Sequence, residues 1–109
     1  MNCKNFFQKK YTKYTLYIGL SDKDFKRQII SEKSAIDFIS SLFDSVTIQK
    51  ATGIYTHENG RKIEENTLIV TYIDFEGKYK ILPAINKIKA AFNQETIACE
   101  ITKTNSILV

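Results

Sequence analysis

Two kinds of hydrophobic periodicity follow each other along this chain, and their order constrains the fold more than any other feature. Apolar and polar residues alternate over residues 14–19, 46–49 and 97–102, and residues 67–73 form a further strand pattern rich in β-branched and apolar residues. Alternation with a period of two is typical of β-strands that have one buried face. Apolar residues recur every three or four positions over residues 35–43 and 81–92, which is typical of amphipathic helices. The predicted order is therefore β-α-β-β-α-β.

Local signals mark the ends of these elements. Ser31 precedes the first helical pattern, where its hydroxyl can accept a free backbone N–H, so it is the predicted N-cap. Pro83 lies in the first turn of the second helical pattern, where proline is tolerated. Asn59 and Gly60 predict a tight hairpin with positive φ angles. Gly53 lies inside the second strand and predicts either a β-bulge or a close backbone approach.

The order of elements predicts an α+β fold. Right-handed crossovers place both helices on one face of a four-stranded antiparallel sheet, the ferredoxin-like βαββαβ arrangement. Residues 13–109 are expected to form this single domain, preceded by a basic and aromatic N-terminal arm at residues 1–12. The third strand is apolar on both faces, which predicts that the open sheet face is covered. Two covers remain open: a second copy of the chain, or the arm with Phe6 and Phe7.

Composition excludes several classes of protein. The chain has 109 residues, of which 43% are hydrophobic and 26% charged, unlike a disordered chain or a collagen. No run approaches the ~20 apolar residues of a membrane span. The first residues are too polar for a signal peptide, and Cys3 and Cys99 form no disulfide framework. We therefore expect a cytoplasmic protein with reduced thiols and no membrane partner.

Positive charge is concentrated near the N-terminus. Residues 1–27 carry seven cations and two anions, whereas the remainder carries nine cations and ten anions. Residues 9–14 interleave lysines with tyrosines, which suits phosphate contact and base stacking, so nucleic-acid binding is an alternative function. An RNA-recognition motif is not predicted, because Glu64 and Glu65 stand where that module places cations on strand three.

Few residues are arranged for catalysis. His57, the single histidine, lies at a predicted hairpin tip and is interpreted as an exposed turn residue. Glu64 and Glu65 are adjacent in a strand, so they point to opposite faces and do not form a carboxylate pair. Metal-ligand spacings, phosphate-binding loops and nucleophile motifs are absent from the sequence. We expect no enzyme, cofactor or metal; the enzymatic rival is a small hydrolase or isomerase using His57 or Tyr17 as acid–base group.

The segment over residues 46–55 and its loop resemble the second strand and loop of the PII-type signalling family and its cyclic-dinucleotide-binding relatives. That resemblance implies a ligand in a cleft between subunits. A second pattern extends over residues 14–102 and consists of Leu16-Tyr17-Ile18-Gly19-Leu20, Thr47-Ile48, Ala51, Gly53, Tyr55, Glu58-Asn59-Gly60, Ile63, Glu65 and Phe92-Asn93-Gln94-Glu95-Thr96-Ile97. In this pattern the chain resembles a family of small bacterial and phage proteins of unknown function. That resemblance implies the same fold without a catalytic residue.

These observations favour a non-enzymatic binding module that is homo-oligomeric through the open sheet face. A short chain without catalytic motifs fits a phage or mobile-element accessory protein. Such a protein would inhibit host defence by sequestering a nucleotide-like anion or by binding a defence protein of the host. Strand-end amides and nearby cations suit an anion. The predicted ligand-binding residues are Gly19, Leu20, Ser21, Lys23, Lys26, Arg27, Thr52, Gly53, Ile54 and Tyr55.

Overall fold

All six predicted elements are present, in the predicted order. The computed structural model describes residues 10–77 and 81–108. The first strand begins two residues before the predicted domain boundary. The elements are β1 (Tyr11–Gly19), α1 (Glu32–Ser40), β2 (Thr47–Thr56), β3 (Lys62–Asp74), α2 (Ile81–Phe92) and β4 (Ala98–Thr104).

The four strands form one antiparallel sheet in the order β2-β3-β1-β4. The central strands are β1 and β3, so the residues of β1 have a partner on each side. Leu16, for example, pairs with Val70 of β3 and with Cys99 of β4. This topology confirms the predicted α+β ferredoxin-like fold.

One face of the sheet and both helices enclose the core. From β1, Tyr14, Leu16 and Ile18 are buried, and the polar residues between them face the other way. The helices contribute five further buried side chains to the same cluster. They are Ala35, Ile39, Ile81, Ile88 and Phe92. Full burial of a large apolar side chain is worth about 1.5–3 kcal/mol, so this cluster fixes both helices on one face.

Helix ends follow the predicted signals. Ser31 is the N-cap of α1, and its hydroxyl accepts the backbone N–H of Ser34 at 3.1 Å. Pro83 is the third residue of α2, within the first turn. Within the described ranges, neither helix, of nine and twelve residues, is long and apolar enough to cross a membrane.

The opposite face of the sheet, here called the open face, is more polar than the third strand predicts. Ile69 and Ile73 of β3 lie on it and are partly buried, whereas their neighbours on β1 include Lys13 and Thr15. Tyr17 is also on this face and is 38% exposed. Coverage by a second copy stays a prediction. Residues 1–9 of the other predicted cover, the arm, lie outside the described residues, and they include Phe6, Phe7 and Cys3. The last two residues of the predicted arm, Tyr11 and Thr12, belong to β1.

Two glycine predictions resolve differently from each other. Gly53 makes no bulge, since β2 and β3 pair without interruption from Thr47 to Thr56. It marks a close approach instead: a Cβ at Gly53 would lie 2.6 Å from the Thr67 hydroxyl. At the hairpin, Gly60 alone has the positive φ (83°), and His57 N–H donates to Arg61 C=O at 2.7 Å.

Candidate functional site

A groove forms where β1 ends and its neighbours continue. After Gly19, β2 and β3 extend past β1 as a two-stranded hairpin that reaches Thr56 and Lys62. This hairpin, the loop at residues 21–30 and the turn at residues 93–97 enclose an open cavity of about 1090 Å³. Aromatic and apolar residues in its wall are Tyr17, Tyr55, His57 and Ile63. We call this cavity the groove.

Two glycines and two polar side chains lie at the floor end of the groove, and of these Gly19 and Glu65 line it. Gly19 pairs with Thr67, and Gly53 pairs with Glu65, so all four lie side by side on the open face. A Cβ on Gly19 would lie 2.6 Å from the carboxyl carbon of Glu65. The Thr67 hydroxyl fills the corresponding space at Gly53. The glycines therefore let Glu65 and Thr67 lie flat on the sheet.

Glu65 is partly buried and accepts the backbone N–H of Ser21 at 3.2 Å. Within residues 10–77 and 81–108, the ion pairs are Lys33 with Asp37 and Lys50 with Glu32, so no cation neutralises Glu65 there. Removing a carboxylate from water is costly unless hydrogen bonds or an opposite charge compensate. The floor of the groove is thus suited to a positively charged or hydrogen-bond-donating group of a ligand.

Charges around the groove are mixed in sign. Its cations are Lys23, Lys26, Arg27 and Arg61. Its anions, besides Glu65, are Asp22, Glu64 and Glu95. A site with both signs is better matched to a zwitterion than to a simple anion.

Most of the predicted ligand-binding residues meet at this groove. Those that line it are Gly19, Ser21, Lys23, Lys26, Arg27, Thr52 and Tyr55. Gly53 and Ile54 do not line the groove: Gly53 lies beside it as the strand partner of Glu65, and Ile54 is 61% exposed on the other face of the hairpin. The prediction that Leu20 binds a ligand is wrong. Its side chain is buried in the core, and its N–H donates to Asn66 C=O at 2.9 Å, so neither part can contact a ligand.

The strand-end amides do not form the expected anion site. The N–H groups of residues 20–23 donate to Asn66 C=O, the Glu65 carboxylate, Arg27 C=O and Asn93 C=O, in that order. The next two amides donate to the Asp22 carboxylate. Because each of these donors has a protein acceptor, an anion at the groove would depend on side-chain cations instead.

Helix α2 holds the loop at residues 21–28 in place. Asn93 ends the helix with a left-handed φ of 49°, and Gln94 N–H returns to Lys89 C=O at 2.9 Å, a Schellman-type end. The Asn93 amide donates to the carboxylates of Asp22 (2.9 Å) and Asp24 (2.7 Å). The Gln94 amide donates to Ser21 C=O. The loop is therefore clamped to the end of α2.

The hydrogen bonds at Asp22 also stabilise its charged form. The N–H of Phe25 lowers the pKa of the Asp22 carboxyl below its ordinary value, with further help from the N–H of Asp24 and the Asn93 amide. A carboxylate that accepts several N–H groups is harder to protonate.

The residues named for an enzymatic rival both border the groove. Tyr17 donates to the Glu100 carboxylate across the open face. This bond raises the pKa of the Tyr17 phenol, which favours the protonated form. His57 is exposed at the hairpin tip, and its imidazole has no hydrogen bond recorded among the described residues. In the part of the chain that the structure describes, no three potential metal ligands cluster.

The structure describes only part of the predicted nucleic-acid interface. Lys9 and the residues before it lie outside the described residues. Of the remaining cations, Lys10 is exposed and Lys13 lies on the open face. The nucleic-acid hypothesis therefore stays a prediction.

Sequence reasoning did not name Glu65 and Gln94, which line the groove, or Thr67 and Asn93, which lie beside it, as site residues. The sequence shows Glu65 as an anion on the third strand and as part of a family resemblance, and not as a ligand-binding residue. A usable signal was present, because glycines inside two different strands indicate that other side chains approach the backbone there. The register that places Gly53 opposite Glu65 depends on the hairpin length, which the sequence pattern left open.

Comparison with known proteins gives one fold relationship. No family model matches the chain, and no curated protein matches it. A phage SAM lyase in complex with S-methyl-5'-thioadenosine aligns at a TM-score of 0.64 with 21% identity, covering 85% of this chain and 81% of that one. Its apo state aligns at 0.60, also with 21% identity, over 86% and 81%. A Bacillus cereus protein related to NIF3 aligns at 0.51 with 8% identity, over 89% of this chain and 26% of that one. The chain therefore shares its fold with a phage enzyme.

Proposed function

We propose that the groove binds S-adenosylmethionine and that this chain cleaves it to S-methyl-5'-thioadenosine. The observation that carries the proposal is the Glu65 carboxylate, which is partly buried in the groove floor with no cation beside it among the described residues. The shared fold with a phage SAM lyase that holds S-methyl-5'-thioadenosine supports the choice of ligand.

The size and lining of the groove suit this ligand. Small-molecule sites usually have volumes of about 300–1,000 Å³, and the open groove measures about 1090 Å³. Tyr17 and Tyr55 offer aromatic rings for an adenine or for a sulfonium cation, and Ile63 adds apolar surface. These side chains come from β1 and from the projecting hairpin, so the ligand would lie between them.

The mixed charges match the methionine part of the ligand. That part carries an ammonium, a carboxylate and a sulfonium. We assign the ammonium of the ligand to Glu65, because the Glu65 carboxylate lies in the floor of the groove and forms no ion pair with a cation of residues 10–77 and 81–108. The carboxylate of the ligand suits the cations of the groove, of which Arg61 offers a two-pronged donor. A Glu65 contact with the sulfonium is less favourable for catalysis, because it would stabilise the charge that the reaction removes.

The reaction itself needs little from the protein. The carbon–sulfur bond to the four-carbon chain breaks, and its electron pair goes to sulfur, so the sulfonium becomes a neutral thioether. Two routes balance the atoms: the ligand's own carboxylate displaces sulfur and forms a lactone, or water acting as base takes a proton from the neighbouring carbon and an alkene forms. An environment less polar than water favours either route, since charge on sulfur disappears.

Binding without cleavage is a second candidate, and it continues the sequestering hypothesis. It is favoured by the state of the two acid–base candidates. The Tyr17 phenol is engaged by Glu100, and His57 is exposed at the hairpin tip. A phage or mobile-element protein of this kind would lower the free concentration of its ligand rather than consume it.

The test separates these outcomes. Purified protein is incubated with S-adenosylmethionine, and products are identified by liquid chromatography and mass spectrometry. S-methyl-5'-thioadenosine with a lactone or alkene partner supports the lyase; a fragment that has gained water indicates hydrolysis. Binding by calorimetry without turnover supports sequestration. Absence of both binding and turnover overturns the proposal.

A matched pair of variants ties the result to the groove. Glu65→Gln keeps the shape of the side chain and removes its charge, so we expect affinity to fall about tenfold or more, the usual weight of a charged hydrogen bond. Glu76→Gln makes the same change at an exposed residue outside the groove and should bind like the original protein.

A further inference from the structure

We infer that Gln94 is a positioning residue. Its hydrogen bond to Ser21 fixes the orientation of the Glu65 carboxylate, which binds the ligand. The inference rests on the proposed function for its ligand and on the hydrogen bonds of the unliganded chain for its geometry. Gln94 reaches Ser21 from helix α2, and Ser21 in turn reaches Glu65 in the groove floor.

The first link starts at the end of the helix. The left-handed φ of Asn93 turns the chain, and the backbone of Gln94 closes on Lys89 C=O at 2.9 Å. The hydrogen bond from Gln94 N–H to Lys89 C=O holds the Gln94 backbone against the end of the helix, so the position of its Cα is fixed. Its terminal amide then donates to Ser21 C=O.

The second link passes through residue 21. While its C=O accepts from Gln94, its N–H donates to the Glu65 carboxylate at 3.2 Å. Ser21 is thus held from both sides. Leu20 N–H is fixed to Asn66 C=O at 2.9 Å, so the chain on the N-terminal side of Ser21 is anchored as well.

These contacts control the orientation of the Glu65 carboxylate. Its carboxylate rests against the bare backbone of Gly19, which limits motion on one side, and the Ser21 amide is its one recorded hydrogen-bond donor among the described residues. Loss of the Gln94 amide would remove the side-chain hydrogen bond at Ser21 C=O, while Asp22 N–H still donates to Arg27 C=O at 2.8 Å. The Ser21 N–H would then be held less firmly, and the Glu65 carboxylate would gain freedom to turn toward solvent. A carboxylate that must be reordered on binding costs affinity, because side-chain freedom is lost.

This arrangement predicts coupling between Gln94 and Glu65. Gln94→Met keeps the length of the side chain and removes its donor. We expect it to weaken binding of S-adenosylmethionine about fivefold in the original protein and to have no effect in a Glu65→Gln background. A role in folding alone would give the same loss in both backgrounds. Asn86→Ala, at an exposed amide on the same helix, is the control and should leave affinity unchanged.

A ligand-free measurement keeps this inference separate from the proposed function. In the original protein, the Ser21 amide proton should shift in NMR spectra when Glu65 is changed to Gln, because its acceptor loses its charge. In a Gln94→Met background that difference should shrink by at least about half. An unchanged difference would overturn the link through Ser21, whatever ligand the groove binds. Absence of S-adenosylmethionine binding, with the NMR coupling present, would overturn the proposed ligand and leave the link standing.

Discussion

The carboxylate of Glu65 occupies the space that a side chain on Gly19 would need. The two residues lie on adjacent strands of the open face, with Thr67 as the direct partner of Gly19. A Cβ built on Gly19 would stand 2.6 Å from the Glu65 carboxyl carbon. The glycine at the end of β1 is therefore a packing requirement of the groove, whereas the turn at Gly60 needs glycine for its φ angle.

Gly19→Ala should displace Glu65 and weaken ligand binding. The φ of Gly19 is not in the left-handed region, so the backbone tolerates alanine and the conflict falls on the carboxylate. We expect at least about a tenfold loss in affinity for S-adenosylmethionine, with a stability change of about 1 kcal/mol. Calorimetric titration measures the affinity, and urea unfolding measures the free energy of unfolding.

The control for this change is Gly60→Ala. Gly60 has a φ of 83° and nothing within 4 Å of the added Cβ, so alanine is strained there without meeting a neighbour. It should cost about 1 kcal/mol of stability and leave binding unchanged. If Gly19→Ala bound as tightly as the original protein, Glu65 would have no part in the site.

The fold followed from the sequence because hydrophobic periodicity and caps act locally. Alternation in β1 and the N-cap at Ser31 depend on residues within a few positions, and both are present as predicted. Gly19 and Tyr55, two of the predicted ligand-binding residues, both line the groove, and ligand binding there stays a prediction.

The chemistry of the groove did not follow, because it depends on contacts between distant residues. Ser21 and Glu65 are separated by 44 positions, and Asn93 and Asp22 by 71. The hydrophobic pattern of the sequence does not indicate that a backbone N–H at the end of β1 donates to a carboxylate instead of to water. An expected anion site therefore became a site with a carboxylate in its floor.

Asn93→Ala should loosen the loop at residues 21–28. The substitution removes two amide hydrogen bonds, to Asp22 and Asp24, and places alanine at a φ of 49°. We expect a loss of about 1–3 kcal/mol in unfolding free energy, from the strain and the lost bonds together. Asn93→Gly also removes the two hydrogen bonds but relieves the backbone strain. Its unfolding free energy, measured with urea, should therefore lie between those of the alanine variant and the original protein. Equal stability of the alanine variant and the original protein would contradict the clamp.

Acid should release the same loop. Hydrogen bonds from the N–H of Phe25 and of Asp24 lower the pKa of Asp22 in the folded protein. Because the pKa of Asp22 is lowered in the folded protein, the contribution of its carboxylate to stability is complete above the ordinary pKa of 3.8. This contribution is lost as the pH falls through the pKa of the folded state. Amide exchange of residues 24 and 25, followed by NMR below pH 3.8, should accelerate as Asp22 is protonated. Asp22→Asn keeps an oxygen acceptor and cannot titrate, so its exchange should lack this acid step.

Self-association through the open face is the remaining prediction. Where β1 and β3 pair, the larger apolar side chains on this face are Ile69, Ile73 and Tyr17, all on central strands. If a second copy covers them, native mass spectrometry should show an oligomer, and Ile69→Lys should convert it to a monomer that remains folded, because a buried unpaired charge at an interface costs several kcal/mol. Ile54→Lys, at a residue 61% exposed on the other face of the hairpin, is the matched control and should leave the oligomer intact. A monomeric original protein at micromolar concentration would refute the prediction, and the groove would then have to bind its ligand within one chain.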